Sequence, residues 1–288
     1  MKSNVDENRY FKPSESINPI KVYSNEKEVC IGIQICEDLW DDDYFMKVTD
    51  TLINKGADII INISASPYRV NILNKRIELC MDKLNHLKYY FIYCNLVGAQ
   101  DELVFDGRSF IINSDGDTEC IGKAFKEDMI DFDSSQSNIR NQSESQINQS
   151  EELFMALSLG VRDYFRKSSF SKAVIGLSGG IDSSLTAAIA VDAIGKQNVI
   201  GISMPSAFSS EHSKKDAASL AENLGIKFET IPINNIFTEL LGEMDSFFSG
   251  TESGLAEENL QARIRGNLLM ALSNKKGWIV SVENSPGH

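Results

Sequence analysis

Short apolar runs alternate along this chain with stretches whose apolar residues return every three or four positions, and that alternation predicts an α/β protein. Residues 29–35 (VCIGIQI), 57–63 (ADIIINI) and 89–96 (YYFIYCNL) read as buried strands. Residues 71–87 carry Ile72, Leu73, Ile77, Leu84 and Leu87 at helical spacing. Residues 108–113 and 119–125 flank Ser114-Asp115-Gly116-Asp117, whose side chains have the chemistry of a hairpin turn.

The pattern breaks at residues 134–150 (SSQSNIRNQSESQINQS), where two isoleucines are the only large apolar residues. Such a stretch buries too little surface to offset its ordering entropy. It predicts a linker between one domain over 1–133 and another over 151–288. Beyond it an amphipathic helix is expected over 151–166, then a strand over 173–177, a helix over 183–194 and a strand over 199–204. A helix over 214–224 and a short strand over 228–231 follow. Strands alternating with helices in this way indicate βαβ units around a parallel sheet.

Composition bears on function more than on fold. Hydrophobic residues make up 42% and charged residues 24% of the 288 positions, the balance of a globular protein with room for two domains. No apolar run approaches the roughly 18 residues that span a bilayer. The opening MKSNVDENRYF is too polar for a signal peptide, so no membrane partner is expected. A formal charge of −13 speaks against non-specific nucleic-acid binding, because it repels phosphate backbones. The five cysteines contain no C-x-x-C pair and are expected as free thiols in the cytoplasm. Three histidines lie far apart without zinc-ligand spacing to a cysteine.

The sharpest chemical signal is Gly176-Leu177-Ser178-Gly179-Gly180-Ile181-Asp182-Ser183, which closes the strand AVIGL and opens a helix. Gly179 and Gly180 let the backbone turn and approach a ligand, and Ser178, Asp182 and Ser183 surround a helix start whose amides favour an anion. The loop lacks the G-K-S/T ending of a Walker A motif. An S-G-G-x-D-S loop after a strand resembles the pyrophosphate loop of N-type ATP pyrophosphatases. By that resemblance residues 176–183 hold the ATP phosphates and Asp182 binds magnesium. Downstream, Met204-Pro205-Ser206 and Ser209-Ser210 resemble the second βα unit of NAD synthetases, and the same serines also suit helix capping.

Two further strings extend the resemblance. Glu257-Glu258-Asn259-Leu260-Gln261-Ala262-Arg263-Ile264-Arg265 is expected on a helix, where Asn259 and Arg263 share a face and Arg265 points elsewhere. Read without the resemblance, this is a solvated amphipathic helix. The string is similar to the deamido-NAD-binding helix of NAD synthetases, which implies that Asn259 and Arg263 contact deamido-NAD. Upstream, Cys36-Glu37-Asp38-Leu39-Trp40 places a cysteine at a strand end, where α/β layers present catalytic groups. An isolated cysteine there is ordinarily a small buried hydrophobe. This turn resembles the nucleophile turn of nitrilase-type glutaminases fused to NAD synthetases. Ser64-Ala65-Ser66-Pro67-Tyr68 and residues 95–107 (NLVGAQDELVFDG) resemble segments of the same family. The resemblance implies that Cys36 attacks the glutamine amide and that Ser66 holds the glutamine.

The resemblance covers nearly all of residues 5–280. It implies a partial nitrilase-like αββα domain, then a partial doubly wound, adenine nucleotide α-hydrolase-like (Rossmann-like) domain. The implied reaction is ATP-driven adenylylation of deamido-NAD+ followed by amidation with ammonia from L-glutamine, with ATP and Mg2+ required and a homo-oligomeric intact enzyme. The family pairs its cysteine with a glutamate and a lysine lying upstream of a V-F-D-E-x-R-Y-F segment, here reduced to Val5-Asp6-Glu7-Asn8-Arg9-Tyr10-Phe11. A family lysine after S-P-Y has Ile72 near its place, and the T-G-N-K-S-E segment does not follow Gly277-Trp278-Ile279-Val280. These departures lead to the expectation of an enzyme truncated at both ends. A different amidotransferase with the same loop fits the C-E-D-L-W turn poorly. A nucleotide-binding remnant without turnover is the rival from outside the enzymes.

Overall fold

A computed structural model describes residues 11–12, 14–24, 27–42, 44–84, 88–132, 147–252 and 254–281. Residues 134–146 of the expected linker, most of the 5–11 segment, the end of the 71–87 helix and residues 282–288 fall outside them. The chain divides into two compact units, Met1–Ala156 and Leu157–His288.

The first unit is built on a six-stranded sheet. Its strands are β1 (Ile20–Ser24), β2 (Lys27–Ile35), β3 (Ile59–Ser64), β4 (Tyr90–Asn95), β7 (Phe110–Asn113) and β8 (Thr118–Ile121), lying side by side in that order. A separate antiparallel hairpin joins β5 (Val97–Gln100) to β6 (Leu103–Asp106). Strands β2, β3 and β4 run parallel, and β1, β7 and β8 add antiparallel neighbours. The β7–β8 turn falls where Ser114-Asp115-Gly116-Asp117 predicts it, with the Asn113 side-chain carbonyl accepting from the amides of Asp115 and Asp117. Two helices missed by the periodicity argument or shortened in the fold, α1 (Val48–Asn54) and α2 (Ile72–Asp82), cover one face. Leu52, Ile60, Phe91, Phe110 and Ile112 meet there in one core.

The other face corrects the reading of residues 29–35 as a buried strand. Register places Ile20 beside Ile31 and Ile31 beside Ile59, then pairs Ile33 with Ile61 and Ile35 with Ile63. Pleating sends these isoleucines to the side opposite Gly32 and Gln34. The helices cover only the Gln34 side, so Ile35 stays 66% exposed and Ile63 53% exposed. Parallel strands made of near-continuous apolar runs have the composition for burial on both faces, and in this structure one face is left half open.

The second unit is doubly wound. Strands β9 (Ala173–Gly176), β10 (Val199–Ser203), β11 (Lys227–Thr230) and β12 (Ile279–Ser281) form an all-parallel sheet in the order β11-β10-β9-β12. Helix α3 (Gln149–Lys167), in which the boundary between the units falls, sends Val161 and Phe165 against one face together with α4 (Ile181–Ile194) and α5 (Glu211–Leu224). Helices α6 (Asn234–Phe248) and α7 (Leu255–Lys276) cover the other through Ile233, Phe237, Ile264 and Leu269. Every residue of β10 is buried, as a strand sandwiched between two helical layers requires. Chain order reverses at β9, which has β10 on one side and β12 on the other, and open α/β sheets bind ligands at such a reversal. Among the described residues no helix is long and apolar enough to cross a membrane.

Candidate functional site

Each unit presents polar groups at the carboxyl ends of its parallel strands. In the second unit β9 ends at Gly176 and α4 starts at Ile181, two residues earlier than the sequence pattern indicates. The start of α4 therefore takes Ile181, Asp182 and Ser183 into its first turn, whose amides have no carbonyl partner within the helix. Gly179 has φ +83°, and a Cβ there would lie 2.4 Å from the Ser213 carbonyl oxygen. Only glycine fits that corner. Ser183 is buried and ties the loop together: its hydroxyl accepts from the Ser178 amide at 3.3 Å and meets the Ser178 hydroxyl at 3.0 Å. The Ser178 hydroxyl accepts in turn from the Gly180 amide at 3.1 Å. Asp182 is exposed at the positive end of α4.

Beside this loop lies a cavity of about 320 Å³, lined by Gly176, Ser178, Met204, Ser213, Lys214 and Arg265 among others. Arg265 is half buried, and its Nε donates to the Met204 carbonyl at 3.1 Å. Burial disfavours its charge and lowers its pKa. The serine pair divides its labour: Ser210 caps α5 by accepting from the Ser213 amide at 3.0 Å, and Ser209 lines the cavity.

Asn259 and Arg263 lie on α7 but do not line this cavity. Both are exposed, and the residues of α7 that face it are Ala262, Arg265 and Leu269. Sequence reasoning set Arg265 aside because it lies two positions from Arg263. Spacing of three and four along 262, 265 and 269 is the signal that marks the cavity face. Glu257 is occupied at the helix start, where its carboxylate accepts from the Gly254 amide at 2.7 Å.

In the first unit Cys36 follows β2 directly and opens a short 3₁₀ turn, Cys36–Leu39. Its φ of +41° is unusual for a residue with a side chain, and strain of this kind gathers at functional turns. The Asp38 carboxylate accepts from the Ile35 amide at 2.8 Å and closes the turn. Cys36 is partly exposed and forms no disulfide.

Ser66 sits in a buried polar cluster that its sequence neighbours did not disclose. Its amide donates to Asn95 Oδ1 at 2.9 Å, and its hydroxyl accepts from Arg76 Nε at 3.2 Å. Arg76 also donates to the Ser66 carbonyl at 2.8 Å and to both carboxylate oxygens of Asp106. Arg76 and Asp106 have no exposed side-chain surface. Burial pushes the Asp106 carboxyl up, and Arg76 pulls against that. Across β2, β3 and β4 the register lines up Gln34, Asn62 and Tyr93, all buried, and Gln34 Nε2 and Asn62 Nδ2 have no hydrogen-bond partner. Among the described residues no group of three or more His, Cys, Asp and Glu side chains is placed to hold a metal ion by itself.

Comparison with known proteins also divides the chain in two. Residues 1–142 match the carbon-nitrogen hydrolase family and residues 153–285 match the NAD synthase family. The chain is 45% identical to the glutamine-dependent NAD(+) synthetase of Synechocystis sp., an alignment covering 96% of this chain and 50% of that protein. It is 42% identical to the enzyme of the same name from Thermotoga maritima, over 96% of this chain and 53% of the relative. The structure of the glutamine-dependent NAD+ synthetase from Acinetobacter baumannii, solved with adenosine diphosphate, superposes with a TM-score of 0.85 at 34% identity. That superposition covers 97% of this chain and 52% of the other. The chain thus spans about half the length of the curated relatives it matches.

Proposed function

We propose that this chain, a member of the glutamine-dependent NAD(+) synthetase family, carries part of the chemistry by which ammonia from glutamine amidates deamido-NAD+ at the expense of ATP. The observation that carries the reading is the loop from Gly176 to Ser183. It is a glycine corner and two buttressing serines at the positive end of α4, opening on a cavity with a half-buried arginine. That geometry suits a polyphosphate.

In this reading Gly176, Leu177, Ser178, Gly179, Gly180, Ile181, Asp182 and Ser183 bind ATP. Magnesium fits the donor set, because it is held by one or two carboxylates together with phosphate oxygens and water, and Asp182 exposes one carboxylate at the loop. When bound it neutralises phosphate charge. Activation is required because a carboxylate is a poor electrophile, and adenylylation converts its oxygen into a leaving group. Asn259 and Arg263 hold deamido-NAD+, whose activated carbonyl ammonia attacks with release of AMP. At the other site Cys36 attacks the glutamine amide, ammonia departs, water hydrolyses the resulting thioester to glutamate and frees the thiol, and Ser66 holds the substrate. In this reading the protein acts in the cytoplasm, the intact enzyme of the family is a homo-oligomer, and neither nucleic acid nor membrane is a partner.

One observation favours a second reading, nucleotide binding without turnover: Asn259 and Arg263 do not line the cavity beside the loop. Supplying ammonium, Mg-ATP and deamido-NAD+ and measuring pyrophosphate separates the two. Pyrophosphate release that is lost in Asp182→Ala is the expected result. Saturable Mg-ATP binding with no release under any supply of ammonia would leave only the binding reading.

A further inference from the structure

Arg265 enters the scheme above as a charge in the cavity wall, and its surroundings fix where along a bound nucleotide that charge falls. Its Nε donates to the Met204 carbonyl at 3.1 Å, which ties the guanidinium to the residue just past β10. Leu269 lies one helical turn further along α7. A Cβ built on Gly176 would sit 3.3 Å from Leu269 Cδ1 and 3.4 Å from Met204 Cε, so both side chains pack against the first residue of the phosphate loop. Arg265 is bonded to one of these residues and stands a turn away from the other. Asp182 and the start of α4 lie at the opposite end of the loop. Pro205, next to Met204, and Ala262, a turn before Arg265, give this end of the cavity apolar surface.

The charge is uncompensated. Among the described residues Arg265 forms no ion pair, the Met204 carbonyl is its one hydrogen-bond acceptor, and no carboxylate lines the cavity. Lys214, the other cation of the lining, is already paired with Glu211 at 2.8 Å. Desolvation alone acts on the Arg265 pKa, with no acid raising it. Both Nη atoms keep contact with solvent, so the outer edge of the guanidinium is open to an anion. The apolar surface beside it suits a nucleoside, whose phosphates pass Gly176 on the way to α4. We propose that Arg265 binds the α-phosphate of the nucleotide, the one that stays on the nucleoside when pyrophosphate leaves, while the α4 end of the loop takes the β- and γ-phosphates. The proposal rests on the reading of this cavity as the ATP site. In the adenylylation step a carboxylate oxygen bonds to the α-phosphorus as the bond from that phosphorus to the β-bridging oxygen breaks. The bonding pair leaves with pyrophosphate, and no proton moves. Two anions must meet for this, and a fixed guanidinium at the α-phosphate offsets their repulsion.

The test is calorimetric titration of the full chain with adenosine, AMP, ADP and Mg-ATP, beside Arg265→Met. The variant is expected to bind AMP, ADP and ATP each about tenfold more weakly, the scale of one charge-assisted hydrogen bond. Its affinity for adenosine should match that of the wild type. A loss confined to ADP and ATP would place the guanidinium on the outer phosphates. An equal loss for adenosine would show that Arg265 acts only by holding Met204. Either result overturns the proposal, as does equal affinity for all four ligands in the two proteins. Arg265→Gln, whose amide can keep the bond to Met204 without the charge, is the second variant and should give the same pattern, so the test stands if Arg265→Met does not fold. A folded wild-type chain that binds none of the four removes the nucleotide reading of the cavity itself, and this proposal with it.

Discussion

Arg76 and Asp106 bond each other twice, at 2.9 and 3.0 Å, with both side chains entirely removed from solvent. Arg76 also holds Ser66 by its hydroxyl and its carbonyl, so the pair fixes the segment proposed to bind glutamine. A buried ion pair contributes little net stability while intact, but losing one partner strands a charge. Asp106→Asn or Arg76→Met alone should therefore cost about 3–5 kcal/mol of unfolding free energy. The double variant should recover much of that. Urea denaturation of the three variants checks it, and additive losses would show that the two residues are not coupled.

Gly179 tests the phosphate loop without touching charge. Alanine there must accept φ +83° and a carbonyl oxygen 2.4 Å from its methyl group. The expected strain is roughly 1–3 kcal/mol. Mg-ATP affinity should fall well beyond any drop in melting temperature, since the corner that shapes the loop moves. Gly242, in α6 with open space around its Cβ position, is the control, and Gly242→Ala should leave nucleotide affinity unchanged.

The two arginines of α7 should separate. Arg265→Met removes a half-buried guanidinium from the cavity and is expected to weaken Mg-ATP binding by about tenfold, the scale of one charge-assisted hydrogen bond. Arg263→Met should leave ATP affinity within twofold and reduce binding of deamido-NAD+. Calorimetry with each ligand reads both effects, and the reverse pattern would exchange their roles.

The isoleucine face of β2 and β3 predicts a solution property. Exposed apolar patches bind hydrophobic dyes and promote association. Ile35→Thr with Ile63→Thr should lower dye fluorescence and raise solubility, with each substitution shifting stability by about 0.5 kcal/mol or less. Unchanged dye binding would mean that this face is covered in solution.

What the sequence discloses follows from how local each signal is. The loop at 176–183 and the turn at 114–117 are legible because glycines and small polar side chains dictate backbone shape where they stand. Strands β9 and β10 are legible as apolar runs between helices. Helix α1 is not, since seven residues are too few to display a period, and the hairpin of β5 and β6 has strands of only four. Exposure of Ile35 escapes prediction because periodicity reports what a strand can bury, not what is present to cover it. The Arg76–Asp106–Ser66 cluster depends on residues 10 and 30 positions apart, which only the fold brings together. Cys36, Ser66, Asn259 and Arg263 were singled out by family resemblance rather than by physics.

Titration of the folded chain with Mg-ATP, beside Asp182→Ala, tests the central claim most directly. The account predicts saturable binding that weakens by at least tenfold, about 1.4 kcal/mol, when the exposed carboxylate at the start of α4 is removed. Equal affinity in the two proteins, or no binding by a wild-type chain with a cooperative melt, would contradict it.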